Sequence, residues 1–182
     1  FKVGTAVRVI NNTIGSAIQG AGTDRAVEWI RDDLEANFFY LTDGATELLL
    51  ITCDVAALEP RSVRSICRRI ARATGVPERN TIVTCTHTHA GPSVLDTSPV
   101  KEVDTAWYRR LGQWLVSGAE EAKDGAVRVR IGYAKGVAQI GHNRRACWAD
   151  GSHTMYRSAG KTGFTGVEGP HDSSHLVLFA ED

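Results

Sequence analysis

Apolar positions bunch into short runs over Val3 to Ile10 and Leu34 to Leu41, and both runs read as strands. Glu47 to Cys53 carries a continuous apolar stretch, the pattern of a strand buried on both faces. Between the first two, the glycine-bearing stretch Gly15 to Gly22 reads as an ordered loop. At Pro60 the period changes. Val63, Ile66, Cys67, Ile70 and Ala71 recur at helical spacing, Pro60 suits a first turn, and Gly75 with Pro77 marks a stop, which predicts a helix from Pro60 to Thr74. The strand Thr81 to Thr86 follows, and strand, helix, strand in that order favours a parallel pair. A second helix is predicted from Thr105 to Lys123, with Trp107, Leu111, Leu115, Ala119 and Ala122 along one side. Ala126 to Tyr133 and Val137 to Ile140 read as strands around a Lys135-Gly136 turn, and Ser174 to Phe179 as a last strand.

These elements predict an α/β fold: a mixed sheet with parallel central strands and both helices on one face. The stretch between Asn143 and Asp172 is weakly periodic and long for a compact domain, which makes it a candidate functional loop. A length of 182 residues, 42% hydrophobic and 23% charged, suits a single soluble domain spanning 1–182. Basic and acidic residues balance at 21 each, so no net field points to nucleic acid or an anionic membrane. The basic stripe Arg61, Arg64, Arg68, Arg69 and Arg72 reads as the solvated face of the first helix.

No apolar run approaches the roughly 18 residues of a transmembrane segment, and no basic-then-apolar leader opens the chain. Opening on Phe1 rather than Met reads as the mark of an excised piece. Cys53, Cys67, Cys85 and Cys147 form no Cys-x-x-Cys pattern and read as reduced thiols, a lean toward the cytoplasm.

The candidate chemistry is concentrated in Thr84-Cys85-Thr86-His87-Thr88-His89-Ala90-Gly91-Pro92. On an extended strand, His87 and His89 would project from one face with Cα atoms roughly 6.5–7 Å apart. Such a pair can share a metal ion or divide ligand and proton-transfer duties, because neutral imidazole is both a common zinc ligand and the usual proton shuttle. Gly91-Pro92-Ser93 is turn chemistry, placing the pair where a buried strand opens into a loop.

Thr86-His87-Thr88-His89-Ala90-Gly91-Pro92 resembles the Thr-His-Thr-His-Ser-Gly-Pro signature of the neutral/alkaline, non-lysosomal ceramidase family, with Ala90 in place of Ser. Asp33 to Leu41, Leu50-Ile51-Thr52-Cys53-Asp54 and His142-Asn143-Arg144-Arg145 resemble further family segments in the family's order. Where some members carry Ile-His before the early strand, this chain reads Ile30-Arg31.

The resemblance implies zinc-dependent hydrolysis of the amide bond of ceramide or a related N-acyl lipid. By the same carry-over, His87 is a metal ligand, His89 belongs to the catalytic cluster, and Arg144 lies at the substrate end of the site. It implies a layered α-β-β-α architecture in which this chain is the N-terminal part of a longer hydrolase, in a family often secreted. The other zinc ligands (a second His, a Glu and a Tyr) and the catalytic Ser are implied to come from the remainder of the parent chain. The alternative is a non-catalytic metal- or lipid-binding domain that kept the fold. Asp54 is a candidate to orient an imidazole or, equally, for a helix-capping or turn role. His171 and His175 read as packing residues, and Gln19-Gly20-Ala21-Gly22 resembles a loop that approaches the family's pocket.

Overall fold

A computed structural model of the chain describes residues 1–20, 25–95, 103–155 and 160–181. They divide into two compact units, Phe1–Arg130 with Glu181, and Ile131–Ala180.

The first unit is built on a five-stranded sheet in the order β4-β3-β2-β1-β5, formed by β1 (Lys2–Val9), β2 (Glu35–Thr42), β3 (Glu47–Cys53), β4 (Thr81–Cys85) and β5 (Val127–Arg128). β1, β2 and β3 pair antiparallel, β5 pairs antiparallel with β1, and β3 and β4 run parallel. The sheet is therefore mixed, as the sequence predicts, but its parallel pair sits at one edge. The reason is local: β2 and β3 are joined by a tight turn, whose Asp43 carboxylate accepts from the Ala45 and Thr46 amides, so only the long helical crossover yields a parallel neighbour.

Both helices, α1 (Pro60–Thr74) and α2 (Thr105–Asp124), pack on one face. Glu59 caps α1 by accepting from the Ser62 amide at 2.8 Å, and Gly75 ends it in the left-handed region at φ 80°, its N–H on the Ala71 carbonyl. Asp104 caps α2 at the Trp107 amide. The core joins Ala6, Phe38, Tyr40, Leu49 and Ile51 of the sheet to Ile66 and Ile70 of α1 and to Trp107, Leu111 and Leu115 of α2. Each buried Leu, Ile or Phe among them contributes roughly 1.5–3 kcal/mol relative to exposure. Trp107 is wholly buried and donates its indole N–H to the Ile10 carbonyl at 2.8 Å, fixing α2 against the end of β1. All four cysteines are free thiols, and burial pushes the Cys53 thiol up to about 12, with Cys85 and Asp54 beside it adding to the shift.

In the second unit, β6 (Arg130–Val137) and β10 (Ser174–Glu181) form a two-stranded sheet. β6 runs through Lys135-Gly136 instead of turning there. The expected loop between Asn143 and Asp172 holds a three-stranded sheet, β7 (Arg145–Trp148) between β8 (His153–Met155) and β9 (Phe164–Val167). These strands are three or four residues long and bury only Ala146, so they carry little of the apolar patterning by which strands are read.

Candidate functional site

β4 stops at Cys85, so the two histidines sit past the strand, in the loop it feeds. Thr86 N–H still bonds to the Cys53 carbonyl and His87 N–H to the Val55 carbonyl, at 3.1 and 3.0 Å, which extends the contact with the segment after β3. At His87 the backbone turns left-handed with φ 62°, at which His87 stands alone among the described non-glycine residues. Such a conformation costs on the order of 1–3 kcal/mol and persists only where its surroundings impose it. Here the restraint is visible: the ring Nδ1 lies 2.6 Å from the Ala56 carbonyl oxygen.

That hydrogen bond fixes the tautomer. A carbonyl only accepts, so Nδ1 carries the proton and Nε2 of neutral His87 keeps its lone pair. His89 brings its own Nε2 to 3.4 Å from that atom, with ring centroids 5.0 Å apart at 70°. The extended-strand geometry expected from the sequence is thus replaced by a bent loop, in which the two rings still converge. Both side chains are open to solvent.

Two nitrogens at this separation suit a shared proton, with one donating to the other. They also suit two corners of a tetrahedral zinc site, where bonds of about 2.0–2.1 Å set neighbouring nitrogens about 3.3 Å apart. Among the described residues no group of three or more His, Cys, Asp or Glu side chains is placed to hold a metal, so these residues fit part of such a site.

The loop is shaped from a distant part of the chain. Gln19 N–H bonds to the Gly91 carbonyl, and its side-chain oxygen accepts from both Val94 and Leu95 amides at 3.1 and 3.0 Å. Ser93 N–H bonds to Ala17. Gly20, at φ 82°, lies against the His89 imidazole so closely that a Cβ there would stand 2.7 Å from the ring. The sequence singles out Gln19-Gly20-Ala21-Gly22; Ala21 and Gly22 lie outside the described residues, as does the end of the predicted Gly15 to Gly22 loop.

Asp54 bonds across to the neighbouring strand: its carboxylate accepts from the Glu35 amide at 3.0 Å, while the Ala56 carbonyl orients the His87 imidazole. A cleft of about 440 Å³ opens beside the loop, lined by Thr88 and Ala90 together with Asn12, Trp29 and Arg31. Asn12 donates toward the Ala90 carbonyl, while its own amide oxygen is buried without a partner among the described residues. Trp29 is 66% exposed. Asn12, Trp29 and Ala56 carry no motif that flags them in the sequence.

Arg144 lies in the second unit, exposed, immediately before β7. Its neighbour Arg145 is ion-paired with Glu168, which also meets His153 at 3.4 Å. The His142 and His171 rings lie with centroids 5.4 Å apart, tilted by 52°, and Asp172 accepts from the Ser174 amide at 2.8 Å, which starts β10.

No protein-family model and no curated protein matches the chain. Among solved structures it is similar to neutral ceramidase from Pseudomonas aeruginosa, with TM-score 0.66 and 18% identity over 82% of this chain and 25% of that one. It is also similar to a ceramidase structure described as complexed with C2, with TM-score 0.68 and 16% identity over 82% of this chain and 24% of the other. At these identities the likeness shows the fold, that of a neutral ceramidase-like N-terminal domain. The chain spans about a quarter of the length of the structures it matches.

Proposed function

We propose that this chain is the N-terminal part of a zinc-dependent amidohydrolase acting on the N-acyl bond of ceramide or a related N-acyl lipid. The observation that carries the reading is the His87 ring, tied at Nδ1 to a backbone carbonyl and aimed at Nε2 toward His89. Metal-bound imidazoles are commonly held this way, the second nitrogen donating to a carbonyl or carboxylate. The ceramidase-like fold supports the same reading.

In this proposal His87 Nε2 holds the zinc ion, with the remaining donors supplied by sequence outside this chain, as the family resemblance implies. Bound zinc would polarise the amide carbonyl and make hydroxide available near neutral pH. His89 takes a proton as water attacks the carbonyl carbon and returns one to the departing amine nitrogen as the C–N bond breaks, giving a fatty acid and a sphingoid base. The family resemblance implies a place for Arg144 at the substrate end of the site, where a guanidinium, charged throughout, would donate to the oxyanion that develops. The cleft bearing Trp29 and Asn12 adjoins the histidine loop and is the route by which an amphiphilic substrate reaches it.

A second reading starts from the same pair: two converging ring nitrogens can help hold a metal ion without turning over a substrate. That suits a non-catalytic metal- or lipid-binding domain that kept the fold. The experiment that separates the two uses the longest natural polypeptide containing this chain. His87→Ala should strip zinc after dialysis. His89→Ala should retain most of the metal while hydrolysis of a fluorescent N-acyl sphingosine falls by roughly 10²–10⁴-fold. Full zinc content and unchanged rate in both variants would overturn the proposal. Zinc binding without turnover in the unsubstituted protein would favour the second reading.

A further inference from the structure

A groove of about 590 Å³ lies between α1 and α2 and reaches Val94 and Leu95 at the far end of the loop that presents the histidines, without touching either imidazole. Ser62, Ile66 and Arg69 line it from α1, spaced so that they share one face of that helix. Thr105, Tyr108 and Arg109 do the same from α2. Val94 and Leu95 complete an apolar lining with Ile66. The Arg69 guanidinium lies over Gly112 of α2, in space that any larger side chain would occupy.

The charge of this groove is not balanced. Among the described residues neither Arg69 nor Arg109 has an ion-pair partner. The carboxylate in the lining, Glu59, is already committed to the α1 N-terminus through the Ser62 amide. Two guanidiniums beside an apolar wall are complementary to a single-chain amphiphile with a carboxylate head, since the planar fork matches carboxylate geometry and the wall takes up methylenes. The volume lies within the range of pockets that hold one small ligand.

We propose that the groove between α1 and α2 binds a medium- or long-chain fatty acid, its carboxylate engaged by Arg69 and Arg109 and its alkyl chain laid along the half-buried Leu95, Val103 and Tyr108, with Ile66 and Val94 buried beneath them. This inference stands independently of the zinc reading, because none of these residues belongs to the histidine loop's donor set.

Calorimetric titration of the protein with decanoate and dodecanoate, below their micellar concentrations and with chelator present, tests it. Dodecanoate should bind roughly 15-fold more tightly than decanoate, as two methylenes at about 0.8 kcal/mol each require. Dodecyl maltoside and dodecyltrimethylammonium should bind at least tenfold more weakly than dodecanoate. Arg69→Gln and Arg109→Gln should each weaken dodecanoate binding about tenfold or more with an unchanged circular dichroism spectrum, while Arg64→Gln, on the outer face of α1, should leave it unchanged. Equal binding of the maltoside, an equal loss in Arg64→Gln, no dependence on chain length, or no detectable binding of dodecanoate would each overturn the proposal. So would binding confined to phosphatidylglycerol vesicles, which would assign the arginines to a membrane surface instead.

Discussion

The Nδ1 of His87 and the carbonyl oxygen of Ala56 stand 2.6 Å apart, joining a catalytic-type side chain to a backbone group 31 positions earlier in the chain. Neutral His87 should therefore populate the Nδ1–H tautomer. Long-range proton–nitrogen correlation of ¹⁵N-labelled protein reads this directly. A ring protonated at Nε2, or exchanging freely between tautomers, would contradict the geometry.

Gly20→Ala should damage the site without touching either histidine. The new Cβ meets the His89 ring, and the backbone at φ 82° is strained for any L side chain. A loss of about 1–3 kcal/mol in denaturant stability is expected, together with loss of the His87–His89 ring proximity seen as a nuclear Overhauser effect. Wild-type stability with the rings still in contact would show that the loop gives way more easily than its packing suggests.

Gly4→Ala should be among the most damaging single methyl additions in the first unit, because its Cβ would run into the Ala122 backbone carbonyl of α2. Overpacking against backbone costs roughly 1–3 kcal/mol and at times more. Gly136→Ala, which meets nothing within 4 Å, should stay close to wild type. Paired urea melts of the two variants give the comparison.

Glu47 gives a pH dependence with a definite sign. Its carboxylate bonds to Lys123 at 2.6 Å and accepts from the Tyr40 hydroxyl at 2.5 Å, and these two contacts hold its pKa below the usual value of 4.5. A carboxyl with a depressed native pKa adds stability that is present above the unfolded pKa and disappears as pH falls through the native one. Stability should thus begin to drop below about pH 4.5, and Glu47→Gln should flatten that drop while costing roughly 1–3 kcal/mol at neutral pH. An identical acid limb in the variant would remove Glu47 from the account.

The helix α1 is legible to the residue because every level agrees: apolar spacing, Pro60 in the first turn, and Gly75 in the conformation only glycine adopts readily. Glu47–Cys53 is equally plain as a strand, but not as one buried on both faces: Leu49, Ile51 and Cys53 are buried, Leu48 and Leu50 are half-buried and Thr52 is exposed, because the helices cover one face. The strands between 145 and 167 escape notice because they are short and bury a single residue, Ala146. At the site, the spacing of His87 and His89 announces a pair, but the strand assumption misjudges their geometry. A left-handed residue at position 87 is set by the Ala56 and Val55 carbonyls, and main-chain partners leave no mark on side-chain patterns.

Gln19 offers one amide oxygen to two successive N–H groups, 75 and 76 positions along the chain. The loop that presents the histidines is thus written in two places, around residues 17–20 and 86–95, and neither text is complete alone. A chimera that exchanged the histidine motif between related proteins while keeping the host's early loop would inherit the imidazoles without the residue that shapes their support. Breakpoints for recombination or domain grafting in this fold belong before Gly15 or after Leu95, so that both passages travel together.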